Sequence, residues 1–225
     1  MGRRVTERVF VLRDVRIFYR KTGAMKFVSH LDMNRFMTRL INKAKIPIWF
    51  TEGFNQHAYF NFAVPLSLGF EGEYEILDLR IVDPAYTNKQ LVADLNSASV
   101  SGIEFMDAKE PILKMKEISF AEFVISFENL TDETRQKIQN FFAKEQIITK
   151  KTTKKGGTKD IDIAPLIKKA ELLENKLTLI LTAGNENNLN PTLVLATLCE
   201  MENIKDLYYG VTRTKIYNSN LKPFE

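Results

Sequence analysis

The sequence predicts an α+β protein that is built from two similar halves. Stretches with an apolar side chain at every second position, typical of strands, alternate with stretches whose apolar residues recur every three or four positions, as in amphipathic helices. Their order in residues 1–110 is strand, helix, strand, strand, helix, strand, and a similar order returns in residues 111–225. This is the βαββαβ order of a ferredoxin-like sandwich. We therefore expect two tandem ferredoxin-like halves, and the alternative is a single larger α+β domain.

The first half, residues 1–110, is expected to carry the binding site. A strand is predicted over residues 9–20, and Ser29 is predicted to cap a helix that runs to about Lys45, because Asp32 follows in an acidic variant of the capping box. The apolar stripe of this helix consists of Met33, Phe36, Met37, Leu40, Ile41 and Ala44. The remaining predicted elements are strands over 59–66 and 73–82, a helix over 87–96 and a strand over 102–108.

The second half, residues 111–225, repeats this order with an extra strand around residues 176–182. The other predicted elements are a strand over 118–127, a helix over 131–143, short strands over 146–151 and 159–163, a helix over 190–201 and a closing strand over 204–217. Pro191 fits the first position of its helix. The lysine-rich segment at residues 150–160 is predicted to form an exposed hairpin.

Composition excludes several classes of protein. The hydrophobic fraction of 44% and the charged fraction of 27% are those of a folded, non-membrane protein. No apolar run approaches the roughly 18–20 residues that a membrane helix needs, and residues 1–8 lack the apolar region of a secretory signal. Cys199 is the single cysteine, which excludes a disulfide within the chain. We expect a cytoplasmic protein without a metal or cofactor, and a buried, unreactive Cys199.

The distribution of charge indicates local binding of anions. Residues 1–50 contain 12 Lys and Arg against 3 Asp and Glu, a balance of +9, whereas residues 51–110 contain 3 against 10, a balance of −7. Residues 111–160 give 10 minus 7, or +3, and residues 161–225 give 7 minus 8, or −1. The positive charge therefore lies in the first strand–helix unit and in the lysine-rich hairpin.

His30 is a candidate binding residue because it stands at the first helical position, beside Ser29. A helix N-terminus presents N–H groups and partial positive charge, which favour phosphate or carboxylate. The alternative is that Ser29 and Asp32 only cap the helix while His30 packs against a neighbouring loop. His57, in the Gly- and aromatic-rich loop, is conceivable as a general base for RNA cleavage. Neither histidine has the spacing of a metal site, and no nucleophilic triad, P-loop or dinucleotide fingerprint is present.

A basic row and nearby aromatic residues indicate RNA. Arg35, Arg39 and Lys43 lie four residues apart on one helix face, where they would follow phosphates; the alternative is a solvated face balanced by Asp32. The other residues assigned to this surface are Lys21, Lys26, Lys45, Asn55 and the aromatics Phe54, Tyr59, Phe60 and Phe62, which would stack on bases. The alternative for the aromatics is the core.

Lys154 and Lys155 form a second candidate phosphate contact in the lysine-rich hairpin. The alternative is that these lysines keep the edge of the strand soluble.

Short motifs follow one another around the first helix. In order they are Phe27-x-Ser29-His30-Leu31-Asp32, Pro47, Glu52-Gly53-Phe54-Asn55 and Ala63-x-Pro65-Leu66-x-Leu68-Gly69, with an acidic segment after them. Their order and spacing resemble the radical-SAM-linked proteins, a bacterial family of unknown function. The resemblance covers about residues 12–217, including the KKGGTKDIDI segment and Arg213-Thr214. In one departure, Gln56-His57 stand where the family often has proline, which weakens His57 as a candidate.

The resemblance implies a radical SAM partner, because the family's domain is often fused to, or encoded beside, a radical S-adenosylmethionine protein. This chain lacks the three clustered cysteines that hold such an enzyme's iron–sulfur cluster. We therefore expect an accessory module, not itself catalytic, that presents a substrate to the partner. The basic helix and the fold, rather than the resemblance, indicate that it binds RNA or a ribonucleoprotein. The alternatives are an RNA-processing enzyme that uses His30 and a protein–protein adaptor that docks through its aromatic loop.

Overall fold

A computed structural model describes residues 12–152, 156–184 and 188–225, and the side chains of residues 151–152 are not described. The chain has a mixed α+β fold, as predicted, and its strands are mostly antiparallel. It divides into two compact units. Unit 1 comprises the described residues up to Leu68, together with Glu75–Ile112 and Glu225. Unit 2 comprises Gly69–Tyr74 and Leu113–Phe224.

Unit 1 follows the predicted order of elements. Its elements are β1 (Arg13–Lys21), α1 (His30–Lys43), β2 (Phe60–Phe62), β3 (Glu71–Ile81), α2 (Asn88–Ala98) and β4 (Ile103–Lys109). The part of β3 up to Tyr74 is counted with unit 2, and the rest of β3 with unit 1. The strands are ordered β4-β1-β3, and β2 pairs with β3. The start of the first predicted strand lies outside the described residues. The β2 prediction was too long, since only three residues pair, and the bounds of α1 differ from the prediction by about two residues.

The core of unit 1 lies between this sheet and its helices. Val15, Ile17 and Tyr19 of β1 face this core, as period-two alternation predicts. The prediction of a single buried face was wrong, because Arg16 and Phe18 between them are buried as well. The predicted stripe of α1 packs in the same core: Met33, Met37, Leu40 and Ile41 are buried, while Phe36 and Ala44 are partly buried against it. No helix among the described residues is long and apolar enough to cross a membrane.

Arg16 points away from that core and is nevertheless fully buried. Its guanidinium donates to both carboxylate oxygens of Asp78, Nε to Oδ1 at 2.8 Å and Nη2 to Oδ2 at 2.7 Å. Nη1 donates to the carbonyl of Glu225 at 2.9 Å. Two parallel bonds of this kind hold the side chains in one geometry, so this ion pair joins β1 to β3.

Unit 2 repeats the order with additions. Its elements are β5 (Ile118–Phe127), α3 (Asp132–Phe142), β6 (Ile148–Thr152), β7 (Thr158–Asp162), β8 (Ile167–Leu173), β9 (Lys176–Thr182), α4 (Pro191–Met201) and β10 (Tyr209–Asn218). Its sheet has the order β10-β5-β9-β8, and Thr212 and Arg213 of β10 pair in parallel with Glu71 and Gly72 of β3.

The strand that was predicted as extra lies in the main sheet of unit 2. The LTLILT strand, β9, belongs to the main sheet, where it lies between β5 and β8. β6 and β7 form a separate two-stranded sheet. Thr197 of α4 anchors this hairpin, because its hydroxyl shares a buried hydrogen bond of 2.7 Å with that of Thr149. The sequence prediction had no strand over residues 167–173, where β8 lies.

Breaking the Arg16–Asp78 pair should destabilise the protein. Arg16→Ala leaves a carboxylate without its main partner, and we expect a loss of about 3 kcal/mol in the free energy of unfolding, measured by urea denaturation followed by circular dichroism. Asp14→Ala is the matched control, because Asp14 pairs with Arg80 at 2.7 Å in a more exposed setting and should cost under about 1 kcal/mol. Equal losses in the two variants would refute the structural role of the buried pair.

Candidate functional site

The start of α1 is held by Ser29, as predicted. The Ser29 hydroxyl accepts from the backbone N–H of Asp32 at 3.1 Å and donates to the Asp32 carboxylate at 2.8 Å. Arg35 donates to the same carboxylate at 3.1 Å. These two hydrogen bonds, the one from Ser29 being the stronger cause, hold the pKa of Asp32 below its usual range. Ser29 is therefore occupied in capping the helix.

The rotation of α1 decides which residues face outwards. Because successive residues turn by about 100°, burial of Met33 and Met37 directs Leu31, Arg35 and Arg39 away from the core. All three are exposed, and Leu31 retains 59% of its accessible surface. Phe27, in the turn just before the helix, is 68% exposed. We call Phe27, Leu31, Arg35 and Arg39 the α1 stripe.

His30 lies at the other side of the helix start, where it borders a narrow crevice of about 10 Å³ in unit 1. Its ring stands edge-on to Phe62, with 5.4 Å between ring centroids. The residues that line this crevice, the His30 crevice, are Tyr19, Lys21, His30, Met33, Phe62, Val64, Pro65, Leu66 and Glu75. Its volume is about that of one water molecule.

Two charged side chains at the His30 crevice are buried. Lys21 and Glu75 each retain 2% of their accessible surface, and the Lys21 ammonium donates to the carbonyl of Val28 at 2.9 Å. The expectation that Lys21 belongs to a surface phosphate track was wrong for this reason. Its burial could have been found, since Tyr19 and Lys21 continue the buried alternation of β1. Buried ionisable groups beside a crevice are typical of functional sites.

Asn34, one turn further along α1, contacts both the backbone and the ring of His30. The Asn34 side-chain nitrogen donates to the His30 carbonyl at 2.9 Å and lies 3.2 Å from Nε2 of the ring. Because an amide NH₂ can only donate, a hydrogen bond at this contact requires Nε2 to accept, which places the ring proton on Nδ1. In this arrangement, Nδ1–H is the group of His30 that can donate to a ligand.

The basic row of α1 does not act as a unit. Lys43 donates to the carbonyl of Ala98 at 3.0 Å, at the carboxyl end of α2, where a cation is favourable. Arg35 is paired with Asp32 on the surface. Arg39 is exposed, and no hydrogen bond joins it to another described residue. The row thus leaves Arg39 open to a ligand and Arg35 open to exchange of its partner.

His57 lies apart from His30, in an arm formed by residues 49–59. Phe50 bridges to Ala58, and the Trp49 amide bonds to Arg80 of β3. The His57 Nδ1 atom lies 3.1 Å from the hydroxyl of Thr51, and this contact joins the two sides of the arm. His57 does not line the His30 crevice, and no contact among the described residues joins the two histidines.

The aromatic residues assigned to base stacking have different surroundings. Phe60 and Phe62 are partly buried against the core of unit 1, in agreement with the alternative that these aromatics belong to the core. Tyr59 packs on Trp49, with the Arg80 guanidinium 4.8 Å from its ring centroid. Phe54, at the tip of the arm beside the exposed Asn55, is fully exposed.

Two predicted residues fall outside this description. Lys154 and Lys155 lie outside the described residues.

Within the described ranges, no group of three or more His, Cys, Asp or Glu side chains is arranged to hold a metal ion. Cys199 is half-buried rather than buried, and its burial raises the pKa of its thiol, which disfavours the reactive thiolate.

A family profile matches residues 14–191, and this family is described as "Uncharacterized protein conserved in bacteria (DUF2344)". The chain belongs to this family. No curated protein sequence matches the chain. One similar solved structure is that of a "putative glycine cleavage system transcriptional repressor", which is 11% identical with a TM-score of 0.28, the match covering 93% of this chain and 99% of that chain. A likeness at this level carries no information on function.

Proposed function

We propose that this chain is a cytoplasmic, non-catalytic module that binds single-stranded RNA, free or within a ribonucleoprotein, and presents it to a radical SAM partner enzyme. The observation that carries the proposal is the α1 stripe, which combines two exposed apolar side chains, Phe27 just before α1 and Leu31 in it, with the exposed arginines Arg35 and Arg39. An exposed aromatic ring accepts an unpaired base by stacking, and a guanidinium binds phosphate. The balance of +9 in residues 1–50 supports an anionic ligand.

We further propose that each unit is a ferredoxin-like half, with the halves at residues 1–110 and 111–225. The orders β4-β1-β3-β2 and β10-β5-β9-β8 support this, because in both units the first strand of the half lies between the last and the third. On this reading, β6 and β7 form an insertion between the first helix and the second strand of the repeat. The RNA surface then lies on a helix of the first half, not on its sheet.

Removing the two arginines should weaken RNA binding and its dependence on salt. For Arg35→Ala/Arg39→Ala, we expect the slope of log affinity against log salt to fall by about 1.4, since each phosphate contact to a single strand contributes about 0.7. Fluorescence anisotropy with a labelled random-sequence RNA, at several salt concentrations, measures both quantities. Phe27→Ala should weaken binding about fivefold or more and leave the slope unchanged, because stacking involves no counterions.

The controls separate this surface from general loss of charge. Lys43→Ala removes a cation from the same helix that is bonded to Ala98, and Lys89→Ala removes an exposed cation from α2. Both variants should bind RNA like the wild type. An unchanged slope in the double arginine variant, or an equal loss in the two controls, would show that the α1 stripe is not the RNA surface.

A second candidate function, RNA cleavage that uses His30, is favoured by the buried Lys21 and Glu75 at its crevice. The Nδ1–H group would donate a hydrogen bond to an oxygen of the scissile phosphate, whereas Nε2 faces Asn34. On this candidate, purified protein cleaves labelled cellular RNA, His30→Ala abolishes cleavage, and His57→Ala retains it. Absence of cleavage, or cleavage that survives His30→Ala, removes this candidate and leaves the binding module.

The partner is assigned to a different surface, the tip of the arm at residues 49–59. Phe54 is fully exposed there, and an aromatic side chain of this kind is a common anchor in protein interfaces. We expect a radical SAM protein encoded beside this chain to co-purify with the wild type, and the complex to be lost in Phe54→Ala. Arg39→Ala is the control and should retain the partner. Loss of the complex in both variants, or in neither, argues against this assignment.

A further inference from the structure

The sheet of unit 2 ends at a strand whose outer backbone is open. β8 and β9 pair antiparallel, and their last paired residues, Leu173 and Lys176, are joined by a two-residue turn. On the other side of β9, the amide of Phe127 donates to the carbonyl of Asn175, and the amide of Ala183 donates to the carbonyl of Ser119. The backbone N–H and C=O groups of the odd-numbered residues of β9 therefore point towards β5, and those of the even-numbered residues point towards β8. Since backbone groups alternate in direction along an antiparallel strand, Ala170 and Leu172 of β8 point their N–H and C=O groups outwards.

The corresponding edge of unit 1 is closed by side chains. The Asn96 side chain accepts from the amide of Phe105 at 2.9 Å and donates to its carbonyl at 2.8 Å. Asn88 donates to the carbonyl of Ala108 at 2.9 Å. Among the described residues, no comparable bond reaches the outer backbone of Ala170 or Leu172. Open edges of this kind are sites of strand pairing unless they are blocked.

The charges on β8 complement themselves. Lys169 and Glu171 lie on one face of the strand, 2.6 Å apart, and both are about half exposed. If two copies of β8 pair antiparallel about a two-fold axis at Ala170, Lys169 of each copy lies opposite Glu171 of the other. A closed ring of two cations and two anions then forms across the interface, and opposite charges at facing positions stabilise strand pairs. An axis at Glu171 would instead place like charges opposite each other.

The other face of β8 offers apolar surface to the same partner. Ala170 and Leu172 form one wall of a groove of about 240 Å³ against α3, whose wall includes Ile138 and Phe142. In the two-fold arrangement, the open side of this groove meets the same residues of the second copy. The small side chain of Ala170 leaves room for close approach at the axis.

We propose that this protein forms a homodimer by antiparallel pairing of β8 with β8 of a second copy, with the two-fold axis at Ala170. This proposal is independent of the RNA-binding function, because it concerns unit 2 alone. It predicts a dimer in sedimentation equilibrium of the full chain in the micromolar range. A monomer throughout that range overturns the proposal.

Cross-linking tests the register. Two Cα atoms that face each other as a hydrogen-bonded pair lie about 5.5 Å apart, within the range that a disulfide spans. In a Cys199→Ala background, Ala170→Cys should therefore give a disulfide-linked dimer under mild oxidation. Leu173→Cys, at a position that is 64% exposed in the wild type, is the control and should remain uncross-linked. Failure of the Ala170→Cys variant to cross-link, or equal cross-linking of the control, overturns the register.

Charge exchange tests the interface without relying on one variant. Lys169→Glu should weaken dimerisation roughly tenfold or more, because two pairs of like charges then face each other. Lys169→Glu/Glu171→Lys restores both opposite pairs and should dimerise like the wild type. Ala170→Pro, which removes an outward N–H that an edge strand can lose without harm to its own sheet, should be monomeric with an unchanged circular dichroism spectrum. A Lys169→Glu variant that dimerises normally, or a folded Ala170→Pro dimer, overturns the proposal.

Discussion

Burial of one apolar stripe of α1 is the constraint on which the arrangement of unit 1 depends. Met33, Met37, Leu40 and Ile41 are in the core, and the helical period then leaves no choice for the other positions. Leu31, Arg35 and Arg39 therefore face away from the core, while the ring of His30 contacts Phe62 of β2. A rotation of the helix by one residue would expose core methionines, so the surface that we assign to RNA is as fixed as the core itself.

Local signals in the sequence predicted α1, its Ser29 cap and the buried face of β1, because each depends on residues within a few positions of one another. The pairing of Arg16 with Asp78 and the meeting of Lys21 with Glu75 at one crevice could not be predicted, because they depend on which strands are neighbours. The period-two pattern nevertheless indicated the direction of Lys21, which continues the buried side of β1. The position of His57 also depends on tertiary pairing, since the amide of Trp49 joins the arm to Arg80 of β3.

The second unit shows why apolar periodicity alone misplaces strands. The LTLILT segment has three buried apolar residues in succession, from Leu179 to Leu181, as befits a strand with neighbours on both sides. β8 carries Lys168 and Lys169 and has a neighbour only on one side, so its pattern is weak and it escaped prediction. The sequence of β6 and β7 looks strand-like, but the pair is anchored through Thr149 and Thr197 and adds nothing to the sheet.

The two sheet edges are treated differently, and this difference bears on how an RNA surface would be used. Asn88 and Asn96 close the edge of unit 1, whereas β8 of unit 2 has an open edge, through which we propose that two chains join. A β8 dimer carries the α1 stripe twice. If both proposals hold, one RNA long enough to reach both stripes would bind the second at an effective concentration that is set by the distance between them, which would raise its affinity without any new contact. A single stripe of two arginines and one aromatic ring could therefore bind a short RNA weakly, while the dimer would bind a long RNA with higher affinity.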